Sequence, residues 1–107
     1  MVKIKDIVDR EETITFKHRP TKTKAVVRAF KNLKTAWIDG ISTPLEYRGK
    51  GGASHVMNQI VDYLDNNKLH AQLSAVPLDK QTDPKKLKAF YRKYGFKGNG
   101  YMQRDAR

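Results

Sequence analysis

The stretch that most constrains this chain is Glu46, Tyr47, Arg48, Gly49, Lys50, Gly51, Gly52 and Ala53. Before it, residues 35–43 form a β-like run. After it, residues 54–64 carry apolar side chains at three- and four-residue spacing. A strand that feeds a glycine-rich turn and then a helix suits an anion. The glycines let the backbone approach a ligand with dihedrals other residues avoid. The first N–H groups of the helix have no partner inside it and point outward. Arg48 and Lys50 add positive charge. The glycine spacing is not that of the dinucleotide fingerprint, and no Gly-Lys-Ser/Thr ending marks an ATP-binding loop. A tight turn with no ligand is the competing reading.

The rest of the chain sets the scaffold. Residues 2–9 partly alternate and read as a short first strand. Residues 13–16 and 25–30 alternate with β-branched side chains and read as strands. The polar segment 18–24 with Pro20 reads as their connection, and 31–34 as a turn. Asp39 and Gly40 fall inside the next strand and predict a bulge or a close approach of backbone to ligand. Ala53, Val56, Met57, Ile60, Val61 and Leu64 make one apolar helical stripe, closed by Asn66, Asn67 and Lys68. Leu69, Ala71, Leu73 and Ala75 share one face of a following strand. Asp83 is the expected cap of a second helix and Pro84 its first residue. Leu87, Phe90, Tyr91 and Tyr94 line that helix, and Gly95 stops it. Phe96 returns to the core, 98–100 turn, and 101–104 form a last strand. The fold expected is α/β (α+β): a mixed, largely antiparallel sheet with two helices in one domain, 1–107. A β-meander fills 1–43 and a ligand-binding core fills 44–107.

Composition narrows the function. The 107 residues contain no cysteine, which excludes disulfides and thiolate metal sites. The histidines are scattered and make no metal site. No apolar stretch approaches the roughly 20 residues of a membrane helix, and 1–6 lack a secretory signal; a cytoplasmic protein is expected. Lysine and arginine number 22 against 11 acidic residues, a net charge of +11. Such a charge favours an acidic partner. Between 17 and 34 lie Lys17, Arg19, Lys22, Lys24, Arg28, Lys31 and Lys34, with no acidic residue. They read either as a solvated hairpin protected from edge pairing or as a groove for an anion.

The turn Arg48-x-x-Gly51-x-Ala53 matches the Gln/Arg-x-x-Gly-x-Gly/Ala signature of the GCN5-related N-acetyltransferases. Phe90, Tyr91, Arg92, Lys93, Tyr94, Gly95 and Phe96 resemble that family's second signature. The resemblance spans roughly 35–105. It implies acetyl-coenzyme A as cofactor, with its pyrophosphate against Arg48, Gly49, Lys50, Gly51, Gly52, Ala53 and Ser54. It also implies a splayed strand, Ile41, Ser42 and Thr43, whose open backbone pairs with the pantetheine arm. Tyr91 corresponds to the tyrosine that acts as general acid near the sulfur. The base is open between Asp39 and Asp79, with Glu46 less suited. The chain departs from the family in three places. Pro44 stands one residue early, Pro77, Leu78 and Asp79 replace the usual asparagine loop, and the two helices between the first strands have no room here. Their absence implies a shortened domain, an open acceptor site, or a wall lent by a second subunit of a homodimer. An N-acetyltransferase acting on an amine, such as a protein lysine or N-terminus, is the reading the resemblance implies. A catalytically degenerate coenzyme A or protein binder of the same fold, and a small basic nucleic-acid-binding protein, are the alternatives.

Overall fold

The computed structural model describes residues 11–75 and 82–107. The strand expected at 2–9, and Pro77, Leu78 and Asp79, lie outside the described residues. A six-stranded sheet runs in the order β1-β2-β3-β4-β6-β5. β1 (Glu11–His18), β2 (Thr23–Phe30) and β3 (Thr35–Ser42) form an antiparallel meander. β4 (His70–Ser74) lies parallel to β3 after helix α1 (Gly52–Asn66). Helix α2 (Pro84–Arg92) then leads through β5 (Lys97–Gly98) to β6 (Tyr101–Arg104), which pairs antiparallel with β4. The mixed, largely antiparallel sheet with two helices is the architecture the alternation and helical spacing predict. The two-residue β5 has no such signature.

The connections show why these elements end where they do. Both meander turns are single 3-10 turns closed by a lysine in the left-handed region, Lys22 at φ 53° and Lys34 at φ 54°. In each the lysine N–H donates to the carbonyl three residues back, at 3.1 Å. Asp83 caps α2 by accepting from the Lys85 N–H at 2.9 Å, with Pro84 in the first turn. Gly95, at φ 92°, reverses the chain after α2.

The core lies on one face of the sheet. The α1 stripe buries Val56, Met57, Ile60 and Leu64 against Ala25, Val27, Ala29, Ala36, Ile38, Ala71 and Leu73. Each large side chain so buried contributes about 1.5–3 kcal/mol. Arg104 is buried too. Its guanidinium meets Asp65 of α1 at 2.9 Å and donates to the Tyr94 carbonyl after α2 at 2.8 Å. Arg104 thus joins α1 to the segment just after α2, and Tyr91 of α2 is buried in the same core, so α1 and α2 share that face. No helix among the described residues is long and apolar enough to cross a membrane.

Candidate functional site

β3 and β4 pair only from Thr35↔His70 to Ile38↔Leu73. Beyond Ile38 the strands part. The cause lies on the other side of β3, where Ala25 faces Ile41 but Val27 faces Ile38. Three residue steps on β3 oppose two on β2, so β3 carries one extra residue at Asp39 and Gly40. Gly40 takes φ 119°. A bulge bends and twists its strand, and here it turns the end of β3 away from β4. The expected bulge is present at the expected dipeptide.

After β3, Pro44 starts a 3-10 turn, Leu45–Tyr47. Tyr47 N–H donates to the Pro44 carbonyl at 2.9 Å, and Arg48 Nε donates to the Thr43 carbonyl at 3.0 Å. Arg48 thus ties the glycine turn to the end of the strand. Gly49 and Gly51 have φ 77° and 81°, and a side chain at either would meet only open space. Backbone conformation demands glycine there, and the space above remains available to a ligand. The first helical bond of α1 runs from His55 N–H to the Gly51 carbonyl at 3.0 Å. The N–H groups ahead of it have no acceptor within the helix.

Gly52 serves a different purpose. It is buried, and a methyl group there would overlap Thr21 Oγ1 and Thr23 Oγ1. Those hydroxyls belong to a chain of hydrogen bonds from His18 Nδ1 to Thr21, Thr23 and Thr43, each link 2.7 Å. The chain fixes the β1–β2 turn beneath the start of α1 and holds the end of β3. His18 also stacks on His55, with ring centroids 4.3 Å apart. The sequence marked 18–24 only as a connection; three hydroxyl residues at 21, 23 and 43 opposite a glycine were the available signal.

These elements enclose a groove of about 360 Å³, within the range of small-molecule sites. β3 and the residue after it contribute Asp39, Gly40, Ile41, Ser42 and Thr43. The turn contributes Tyr47, Arg48, Gly49 and Gly51, and α1 adds Gly52, Ala53 and Ser54. Ser74, Leu87 and Tyr91 form the opposite wall. Lys50 is not on the wall. Its Nζ stands 5.7 Å from the centre of the Tyr47 ring, while Lys22 Nζ reaches the same ring at 5.3 Å. Tyr47 therefore gathers two cations beside the turn, one of them from the basic run. Glu46 is exposed on the 3-10 turn and off the wall. Asp79 lies outside the described residues.

Tyr91 is 3% exposed, edge-on to Phe90 and Phe96 at 5.5 and 6.0 Å between centroids. Burial pushes its phenol up to about 12. It remains a proton-bearing donor throughout the neutral range. Asp39 accepts an ion pair from Arg28 at 2.9 Å, both side chains partly exposed. Lys31 pairs with Glu12 at 3.0 Å, and the hydrogen bond first, then the charge, raises its ammonium pKa. Among the described residues no cluster of His, Asp and Glu is arranged to hold a metal ion.

The family profile described as Acetyltransferase (GNAT) family matches residues 13–96. No curated protein matches the chain. Among solved structures, the crystal structure of anti-CRISPR protein AcrVA5 is similar, with a TM-score of 0.71 and 15% sequence identity. The likeness covers 85% of this chain and 96% of that one. At such identity it is a likeness of fold.

Proposed function

This chain belongs to the GNAT acetyltransferase family, and from that premise we propose that it binds acetyl-coenzyme A between β3 and β4 and moves the acetyl group to an amine on an acidic protein. The observation that carries the reading is the pair of left-handed glycines, Gly49 and Gly51, with open space above them beside a strand that has left its neighbour. The residues fit a pyrophosphate. The turn offers unclaimed N–H groups at a helix start, with Lys22 and Lys50 held nearby by Tyr47. When bound, acetyl-coenzyme A supplies the activated acetyl group. Ile41, Ser42 and Thr43 on the groove wall would supply backbone amides to polarise a carbonyl oxygen.

Tyr91 supplies a hydrogen bond from its hydroxyl. Full transfer of its proton to a thiolate is another matter. A phenol near 12 giving its proton to a thiolate whose acid has a pKa of about 8.5 costs on the order of 5 kcal/mol. Tyr91 is therefore a donor that stabilises developing charge, and as the C–N bond forms and the C–S bond breaks, the proton shed by the amine would pass to solvent and the leaving sulfur would take one up from it. Asp39 is the carboxylate on the groove wall among the described residues, and Arg28 holds one of its oxygens at 2.9 Å.

A second reading keeps the groove and drops the transfer: a member of the fold that holds coenzyme A or a partner protein without catalysis. One observation favours it: Arg28 already engages Asp39, the carboxylate on the groove wall among the described residues. One assay separates the two. The protein is incubated with acetyl-coenzyme A and lysine-containing acidic peptides, and both free thiol and peptide mass are followed. Thiol release matched by acetylated peptide supports transfer. Coenzyme A binding with neither product supports the binder.

A further inference from the structure

Residues paired in register share a face of the sheet. The pairs Lys17↔Lys24, Arg28↔Trp37, Trp37↔Gln72 and Ser74↔Tyr101 therefore lie together, opposite the face that holds α1 and α2. No helix among the described residues covers this second face. Tyr101 is 75% exposed, and its ring lies 6.4 Å from that of Trp37. Tyrosine and tryptophan are among the residue types enriched at the energetic centres of protein interfaces.

The charge on this face selects the partner. Lys17 and Lys24 sit directly across from one another, and like charges in that position destabilise a strand pair. No carboxylate among the described residues lies within ion-pair distance of either lysine. An acidic partner would relieve that repulsion. The face is also continuous with the groove, because Asp39 and Ser74 line the groove, and Ser74 belongs to this face by its pairing with Tyr101 and Asp39 by its ion pair with Arg28. We propose that the helix-free face of the sheet is the docking surface for an acidic protein segment, with Trp37 and Tyr101 as its aromatic anchors and Lys17 and Lys24 as its charged rim. A segment seated there passes the mouth of the groove, where its own lysine would be presented. That last step rests on the function proposed above; the docking does not.

Trp37 is the single tryptophan of the chain and reports directly on this face. The probe is an N-acetylated peptide of glutamates and aspartates around one lysine. The expected result is that acrylamide quenches Trp37 in the free protein and that the peptide protects it. Affinity falls at least about ten-fold between ~0.05 and ~0.5 M salt. Tyr101→Ala and Lys24→Glu, both at exposed positions, each weaken the peptide about ten-fold and leave acetyl-coenzyme A affinity unchanged. A Trp37 signal indifferent to the peptide overturns the proposal. So does shielding of Trp37 in the free protein, whether constant, as cover by residues 1–10 would give, or growing with concentration, as a second copy would give. Tighter binding of a single-stranded oligonucleotide than of the peptide overturns it too. Peptide docking without acetyl-coenzyme A binding upholds the surface and removes the proposed function instead.

Discussion

β3 and β4 are joined at one end and parted at the other. Over the joined half, Ala36 and Ile38 lie beside Ala71 and Leu73, all buried beneath the helices. Over the parted half, Asp39, Ser42 and Thr43 are polar and accessible, and the backbone faces a groove. The same two strands thus supply both core and site. The difference comes from one extra residue at Asp39 and Gly40 together with a turn rich in left-handed glycine. A cleft needs no separate element here. It needs the sheet to stop pairing where the apolar alternation stops.

The joined half should fail as core fails. Leu64, fully buried in α1, replaced by alanine should cost about 2–5 kcal/mol in urea unfolding. The protein that remains folded should bind acetyl-coenzyme A as before. The parted half should fail as chemistry. Tyr91→Phe keeps the ring and removes the hydrogen-bond donor to developing charge, so turnover should fall on the order of 10²-fold with coenzyme A affinity preserved. Full activity in that variant would leave Tyr91 a packing residue.

Gly52→Ala tests the seam between the halves. The added methyl meets Thr21 Oγ1 and Thr23 Oγ1, and overpacking of this kind costs about 1–3 kcal/mol. A double-mutant cycle with Thr21→Ala should show coupling above about 0.5 kcal/mol; additive effects would mean that the hydroxyls do not set the position of the turn. The last effect is on pH dependence. The folded protein holds the Tyr91 proton more tightly than the unfolded chain, because burial raises the phenol from its ordinary 10 to about 12. Its contribution to stability is fully present below pH 10 and is lost as pH rises through about 12. Tyr91→Phe should flatten that part of the alkaline unfolding profile, and an unchanged slope would place the phenol in contact with solvent.

Much of this was legible in the sequence because period and punctuation are local. The alternation of Leu69, Ala71, Leu73 and Ala75, the α1 stripe, the Asp83–Pro84 cap and the Gly95 stop each depend on neighbours a few residues away. Helix α1 begins at Gly52, two residues before the periodic run, because glycine hides a helix start that has no side chain to show it. What the sequence concealed depends on distant contacts. Thr21 and Thr23 lie beneath Gly52 only because the β1–β2 hairpin folds against the start of α1. Lys22 joins Lys50 through Tyr47, a residue that carries no charge signal. Arg104 reads as an exposed end of strand, yet Asp65 and the Tyr94 carbonyl keep it inside. The site residues named from the glycine turn converge on one groove, apart from Lys50 beside it and Asp79 outside the described residues. Their convergence reflects the turn's own geometry, which places strand end, glycines and helix start within a single stretch of chain.

The central claim is that the open glycine turn receives the pyrophosphate of acetyl-coenzyme A. Titration calorimetry of the wild type against Gly51→Val tests it most directly, with circular dichroism confirming that the variant is folded. Gly51 has a left-handed backbone and open space above it, so valine both strains the turn and fills the space. Saturable binding to the wild type is expected, with a loss of at least about ten-fold in the folded variant, roughly 1.4 kcal/mol. Equal affinity in the two proteins, or no binding by the wild type, would contradict it.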